Sequence, residues 1–217
     1  MIRLHRKHRI ALGFGLGLLL GFGGTTVQAA GDAALYEAVA PKGSAFVRLY
    51  NASNQEVSAN VGSINLEDVS PLSSSDFEYL PAGQYSARIG SQNLPVSLSA
   101  EHYYTLVTQS GAAPLLVEEP AFKSKQKALL RVQNLSDKPL TLKTADGKTE
   151  VVKSVEPKGR GDREINPVKA NLALFDGDRK VADLKPISLA RGDVVCLYVT
   201  GTANQLNPVW VKPPVKE

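Results

Sequence analysis

The stretch FVRLYNASNQEV, beginning at Phe46, returns in altered form as LLRVQNLSDKPL, beginning at Leu129. Arg48 and Arg131, Asn51 and Asn134, and Ser53 and Ser136 are each 83 residues apart. A second echo follows in the same order, PVSLSAEHYYTLVT from Pro95 and PISLARGDVVCLYVT from Pro186, with one inserted residue. Counting back from Thr108 and Thr200 sets Cys196 against Tyr104. Two echoes in one order imply a tandem duplication, so the chain should fold as two copies of one unit. Alternation along an extended strand puts Val47 with Leu49, and Leu130 with Val132, on one face, the expected core. Arg48 and Arg131 then point the other way, toward solvent or a carboxylate. Asn-x-Ser at the strand end is suited to capping a turn, although both copies also have the form of a glycosylation acceptor.

What lies between the echoes is a series of short apolar runs separated by turn residues. Pro81-Ala82-Gly83, Asp146-Gly147 and Asp176-Gly177-Asp178 are the clearest breaks; Gly supplies the positive φ that tight hairpins need. Runs of this kind every ~8 to 12 residues, with no amphipathic helical period, indicate a sandwich or barrel. Gly31 to Val39 offers at most one turn or an edge strand. The expected architecture is all-β: two tandem small β-sandwich (Ig-like) domains, at 30–111 and 126–217. A Pro-containing segment, 112–125, joins them as an extended linker, unless Leu115, Leu116 and Val117 add an edge strand. "EPKGRGDRE" from Glu156 is expected to be a loop, as is the serine run Ser73-Ser74-Ser75, and the Arg-Gly-Asp within the former is a chance match to an adhesion motif.

Residues 1–29 have another character. Arg3, Arg6, Lys7 and Arg9 precede an apolar, Gly-rich run and the small-residue pattern Val27-Gln28-Ala29, which reads as a cleaved signal peptide with cleavage near Ala29 or Ala30. The apolar run is shorter than the ~18 to 20 residues of a membrane span, so no stable span is expected after cleavage. The whole chain has 25 Lys and Arg against 21 Asp and Glu. The leader holds four of the bases and none of the acids, so the mature chain is neutral and nucleic-acid binding loses its support. The neutrality covers an imbalance. Gly31 to Gly111 carries three bases and eight acids, whereas the chain from Gln126 onward carries sixteen bases and eleven acids. The two halves should therefore present different surfaces to partners.

A catalytic apparatus is not legible. Past the leader there is one His (His102), one Cys (Cys196), one Trp (Trp210) and no Met. A nucleophile needs a base and an orienting group, and no motif supplies the three. Cys196 sits in VVCLYV, with no basic partner near it in sequence, and reads as a buried, inert thiol. Trp210, between Val209 and Val211, reads as a core residue or an aromatic contact. Metal-ligand spacing and phosphate-binding glycine loops are both lacking, so neither metal nor cofactor is expected. The binding candidates are basic: Lys123, Lys125 and Lys127, which an extended strand would place on one side, and Lys158, Arg160 and Arg163. They suit a polyanion or a protein partner, or are solvated loop charge.

Four long runs carry a resemblance. GDAALYEAVAPKGSAFVRLYNASNQEVSANVGS from Gly31, KQKALLRVQNLSDKPLTLKTADGKTEVVK from Lys125, REINPVK from Arg163 and PVWVKPPV from Pro208 closely resemble the AlgF family of alginate biosynthesis proteins of pseudomonads and their relatives. The resemblance covers nearly the whole mature chain. It implies a periplasmic protein required for O-acetylation of alginate on the 2- and 3-hydroxyls of mannuronate. Its implied partners are a periplasmic alginate O-acetyltransferase and a membrane O-acyltransferase. The family brings no catalytic residues to carry over. The expectation is therefore a non-catalytic adaptor, with a covalent acetyl carrier or an alginate-binding module as the alternatives. A bacterial periplasm also makes the two Asn-x-Ser sites structural and not glycosylated.

Overall fold

The computed structural model describes residues 40–202 and 205–211. The leader and the Gly31–Val39 stretch lie outside the described residues. The described residues form one compact unit, built of two β-sandwich domains, and no helix occurs among them.

The first domain contains β1 (Ser44–Ala52), β2 (Val57–Val61), β3 (Ile64–Val69), β4 (Ser73–Ser74), β5 (Glu78–Pro81), β6 (Gly83–Ile89), β7 (Gln92–Leu98), β8 (Tyr103–Gln109) and β9 (Leu115–Glu119). One sheet runs β4-β1-β8-β9, with β5 also on β1, and the facing sheet runs β3-β2-β6-β7. The second domain contains β10 (Ala128–Asn134), β11 (Leu140–Thr144), β12 (Glu150–Val155), β13 (Gly159–Ile165), β14 (Val168–Ala170), β15 (Leu172–Asp176), β16 (Arg179–Asp183), β17 (Ile187–Leu189), β18 (Val194–Thr202) and β19 (Gln205–Val211). Its sheets run β13-β10-β18-β19 and β12-β11-β15-β16, with β14 and β17 as a small separate pair.

The echoed sequences occupy equivalent places. β1 and β10 are the matching strands, each lying parallel to the strand of the second echo, β8 or β18. Val47 and Leu49 pack into the first core with Ala59, Val61 and Leu106. Leu130 and Val132 do the same in the second, with Leu142, Leu174 and Leu197. The Asn–Ser turns also match. Asn51 Nδ2 donates to the carbonyls of Gln55 and Val69, and Ser53 donates to Asn51 Oδ1. Asn134 Nδ2 donates to Lys138 and Val155 carbonyls, and Ser136 donates to Asn134 Oδ1. Both asparagines are fully buried, and each amide satisfies two carbonyls where the chain leaves its strand. Even the backbone after the turn repeats. Leu72 and Lys158 both adopt positive φ, 57° and 61°, and their N–H groups donate to the carbonyls of Asn51 and Asn134.

Three expectations need correction. Glu156 to Glu164 is a loop only over its first three residues. Gly159–Ile165 pairs along its whole length with β10, from Asn134↔Gly159 to Ala128↔Ile165. Its charges mask a strand with one open edge, and Gly161 lies so close to Val152 and Val155 that a Cβ would collide with both. The serine run is partly strand too, since Ser73 and Ser74 pair with Asn51 and Tyr50. Finally, the parallel registers match Phe46 to Tyr103 and Leu129 to Val194. Cys196 is therefore the counterpart of Thr105 and not of Tyr104. The extra residue of the second echo falls late in its strand, so counting from the strand ends slips the register by one.

Leu115–Glu119 is the edge strand β9, paired antiparallel to β8. Residues 120–127 follow as irregular chain, so Lys123, Lys125 and Lys127 do not share a strand face.

Candidate functional site

The outer faces of the equivalent sheets, β1-β8 and β10-β18, pack against each other. Tyr50, Val107, Cys196, Tyr198 and Val211 form a third apolar cluster between the domains, and the rings of Tyr50 and Tyr198 stack at 4.3 Å. Equivalent sheet faces of the two repeats thus meet within one chain, although their side chains differ: Tyr50 corresponds to Gln133 and Val107 to Tyr198.

At the end of this layer lies a buried charge cluster centred on Glu119, the last residue of β9, which is 3% exposed. Arg48 Nη2 donates to Glu119 Oε1 at 2.8 Å, and its Nε donates to Thr105 Oγ1 at 2.9 Å. Thr105 Oγ1 donates to the same carboxylate oxygen in a very short hydrogen bond, and Tyr198 Oη donates to it at 2.6 Å. The other oxygen, Oε2, accepts from Cys196 Sγ at 3.4 Å and from Arg131 Nη1 at 3.5 Å. Arg131 in turn grips Asp162 with two bonds of 2.9 Å and donates to the carbonyl of Pro120. The Arg48 guanidinium lies over the Phe77 ring, 4.6 Å from its centroid, a stacking that Arg favours.

Both arginines of the repeated phrase thus end on one carboxylate. Burial alone would raise the Glu119 carboxyl above its ordinary range. The Arg48 charge outweighs that, with hydrogen bonds from Thr105, Tyr198 and Arg48 itself, and the carboxyl is held down to about 2. Burial pushes the Cys196 thiol up to about 12, and Glu119 adds to the push against the opposing pull of both arginines. Two guanidinium groups are therefore near Cys196 that its sequence neighbours did not reveal. It nevertheless stays a protonated donor. Burial also drives Tyr198 well above the ordinary phenol range.

A cavity of about 230 Å³ opens on this cluster, walled by Phe77, Tyr103 and Phe122, with Arg48, Glu119 and Cys196 at its base. Both guanidinium groups in its lining are already paired, Arg48 with Glu119 and Arg131 with Asp162 behind the wall, so the cavity offers no free cation to an anion. His102 lies elsewhere, at the start of β8. Its Nδ1 meets Glu118 at 2.8 Å, both side chains being about half exposed, and among the described residues no hydroxyl or thiol is hydrogen-bonded to that pair. Ser75 Oγ, from the serine run, accepts from Leu49 N and donates to the Asp76 carbonyl. Trp210 packs against the second core and donates to the Lys185 carbonyl at 3.1 Å.

The basic candidates separate in space. Lys158 and Arg160 line a groove beside β9, and Arg160 Nη1 donates to the Glu118 carbonyl at 3.0 Å. Arg163 sits on β13 at the parity of Gly161, on the opposite face from Arg160. Lys123 and Lys125 are exposed on the irregular segment, and Lys127 Nζ donates to Asn166 Oδ1 at 2.7 Å.

The family model described as "Alginate O-acetyl transferase AlgF" matches residues 17–196. The chain belongs to the AlgF family. It is 96% identical, over the full length of both chains, to the alginate biosynthesis protein AlgF of Azotobacter vinelandii. It is 61% identical to that of Pseudomonas aeruginosa, covering 100% of this chain and 98% of the relative. Two solved domains of AlgF from P. aeruginosa align with it. The C-terminal domain covers 41% of this chain and 99% of its own at 75% identity and a TM-score of 0.38. The N-terminal domain covers 38% and 100% at 55% identity and a TM-score of 0.34. As an AlgF family member, the chain has its role in alginate biosynthesis, in O-acetylation of the polymer.

Proposed function

We propose that the chain is a non-catalytic adaptor of alginate O-acetylation. It would act in the periplasm after loss of its leader, binding the periplasmic alginate O-acetyltransferase and the membrane O-acyltransferase of the same pathway. The observation that supports this most is the Glu119 junction. It joins two domains of opposite charge balance into one body, leaving their outer surfaces at a fixed separation. Such a body suits a protein that holds two partners at a set distance, with charge guiding each encounter. The groups best equipped for acyl chemistry are committed elsewhere. Cys196 is buried and protonated, and His102 is occupied with Glu118. Mixing the purified mature protein with the pathway's acetyltransferase should give a complex by calorimetry or crosslinking. Absence of any complex would end the adaptor reading.

The family description names a transferase, which favours a second reading, a covalent acetyl carrier. Intact-mass spectrometry after incubation with an acetyl donor separates the two. The adaptor reading expects no acetyl adduct, even a transient one.

A further inference from the structure

A groove of about 800 Å³ runs along the outer side of β9, between that strand and the second domain. β9 is the last strand of its sheet. The direction of its backbone follows from its neighbours. Phe46 N donates to the His102 carbonyl, so the backbone groups of His102 and Tyr104 face β1 and turn away from β9. Glu118 is paired with Tyr104 and Leu116 with Leu106, so both direct their N–H and C=O to the free edge. The Arg160 bond to the Glu118 carbonyl is made on that side. The N–H of Glu118, and both backbone groups of Leu116, face the groove with no partner among the described residues.

A second observation lies on the opposite wall. Gln133 lines the groove and is 2% exposed, yet its Nε2 has no hydrogen-bond partner. Buried amides are almost always paired. The counterpart of Gln133 in the first repeat is Tyr50, whose unpaired hydroxyl lies in the apolar layer against Tyr198. Lys158, held in the left-handed conformation, and Arg160 stand at the same wall.

We propose that the β9 edge is a strand-addition site for an extended segment of a partner protein. The segment pairs its main chain with Leu116 and Glu118, and it carries a carboxylate side chain that meets Lys158 and Arg160. Gln133 Nε2 donates to it from the groove wall. Backbone pairing of this kind gives affinity, and the flanking side chains give selectivity. A second copy of the chain fits less well, because each copy would bring its own Lys158 and Arg160 to the same cleft. This inference rests on the adaptor reading and adds to it where, and by what chemistry, one partner docks.

The test is hydrogen exchange on the full mature chain, alone and with the purified alginate O-acetyltransferase of the pathway. The amides of Leu116 and Glu118 should slow by about tenfold or more in the complex. Glu118→Pro removes one free-edge donor while leaving the β8 ladder intact. It should weaken binding about tenfold, whereas Glu118→Ala, which keeps the N–H, should stay within about threefold. Gln133→Leu should fold at least as stably as the parent and still bind several-fold more weakly; a purely structural Gln133 would not give that combination. A complex in which the β9 amides exchange at their free rate overturns this inference and leaves the adaptor standing. Protection of the same amides by alginate oligomers, or by self-association of the chain alone, also overturns it. No complex at all overturns both.

Discussion

The same arginine occupies the same strand position in both repeats, and its two copies are held differently. Arg131 has a carboxylate on the adjacent strand, because β13 runs long enough to place Asp162 opposite it. In the first repeat the corresponding edge is broken into β4 and β5, which pair with Tyr50–Asn51 and Ser44–Val47 and leave Arg48 at the gap between them, where Phe77 supplies a ring and no charge. Arg48 turns instead to Glu119, on the far side of β8. That carboxylate also reaches across to Tyr198, Cys196 and Arg131 of the second domain. The second repeat is thus self-sufficient in charge, while the carboxylate serving the first is also what joins the two domains. Duplication supplied two equivalent faces, and Glu119, outside both echoed sequences, made one interface from them.

The strongest way to break this comparison is to remove the shared carboxylate. Glu119→Ala leaves Arg48 buried with no counter-charge and Arg131 with Asp162 alone. Loss of one partner from a buried, hydrogen-bonded ion pair costs about 3–5 kcal/mol, which urea denaturation of the mature chain should register. The parent should unfold in one transition and the variant in two, since the domains then lose their joining group. A variant as stable as the parent would mean that the apolar layer of Tyr50 and Tyr198 holds the domains without help.

Acid should reproduce much of that loss. The Glu119 carboxyl titrates near 4.5 when unperturbed and is held to about 2 in the fold. Its stabilisation is therefore complete above about pH 5 and disappears as pH falls through about 2, amounting to roughly 3 kcal/mol. Stability measured from pH 6 to pH 2 should fall accordingly in the parent. In Glu119→Gln that part of the slope should be missing.

The two arginines should differ from each other by less. Arg48→Met leaves Glu119, which is 4% exposed at its side chain, with the long contact to Arg131 as its one cationic partner beside the neutral donors Thr105, Tyr198 and Cys196. Arg131→Met leaves Asp162 with Arg160 at 3.6 Å, and its side chain is 31% exposed and can be hydrated. The first change should cost about 1–2 kcal/mol more than the second, because an unpaired carboxylate is penalised in proportion to its burial. Equal costs would mean that the interface does not distinguish the repeats.

Much of this arrangement could be read before any coordinate. The duplication, the inward faces of β1 and β10, the capping role of Asn51 and Asn134, and an arginine turned away from the core toward solvent or a carboxylate all follow from spacing and alternation. The identity of the carboxylate does not. Glu119 lies 71 residues from Arg48, in a proline-bounded stretch that resembles a linker, and only the antiparallel return of β9 brings it in. β13 was hidden for a related reason. An edge strand with one open side tolerates Arg, Asp and Glu at most positions, so its composition imitates a loop. The environment of Cys196 was equally out of reach, since its arginines arrive through β1, in the other domain, and through β10, the strand beside its own.

The mildest test concerns that cysteine. Thr105 and Cys196 are equivalent positions, and each donates to a different oxygen of Glu119. If equivalence extends to chemistry, Cys196→Thr should be accepted within about 1 kcal/mol, because a hydroxyl can replace the thiol as donor. Cys196→Val has nearly the same shape as the threonine variant and no donor. Hydrogen bonds to charged groups contribute about 1.5–3 kcal/mol, but a thiol at 3.4 Å is a weak donor, so the valine variant should fall below threonine by only about 1 kcal/mol. Thermal unfolding of both variants at pH 7 reads that difference. Equal stabilities would show that Glu119 does not depend on a donor from the second domain at this position, and that the repeats match there in shape alone.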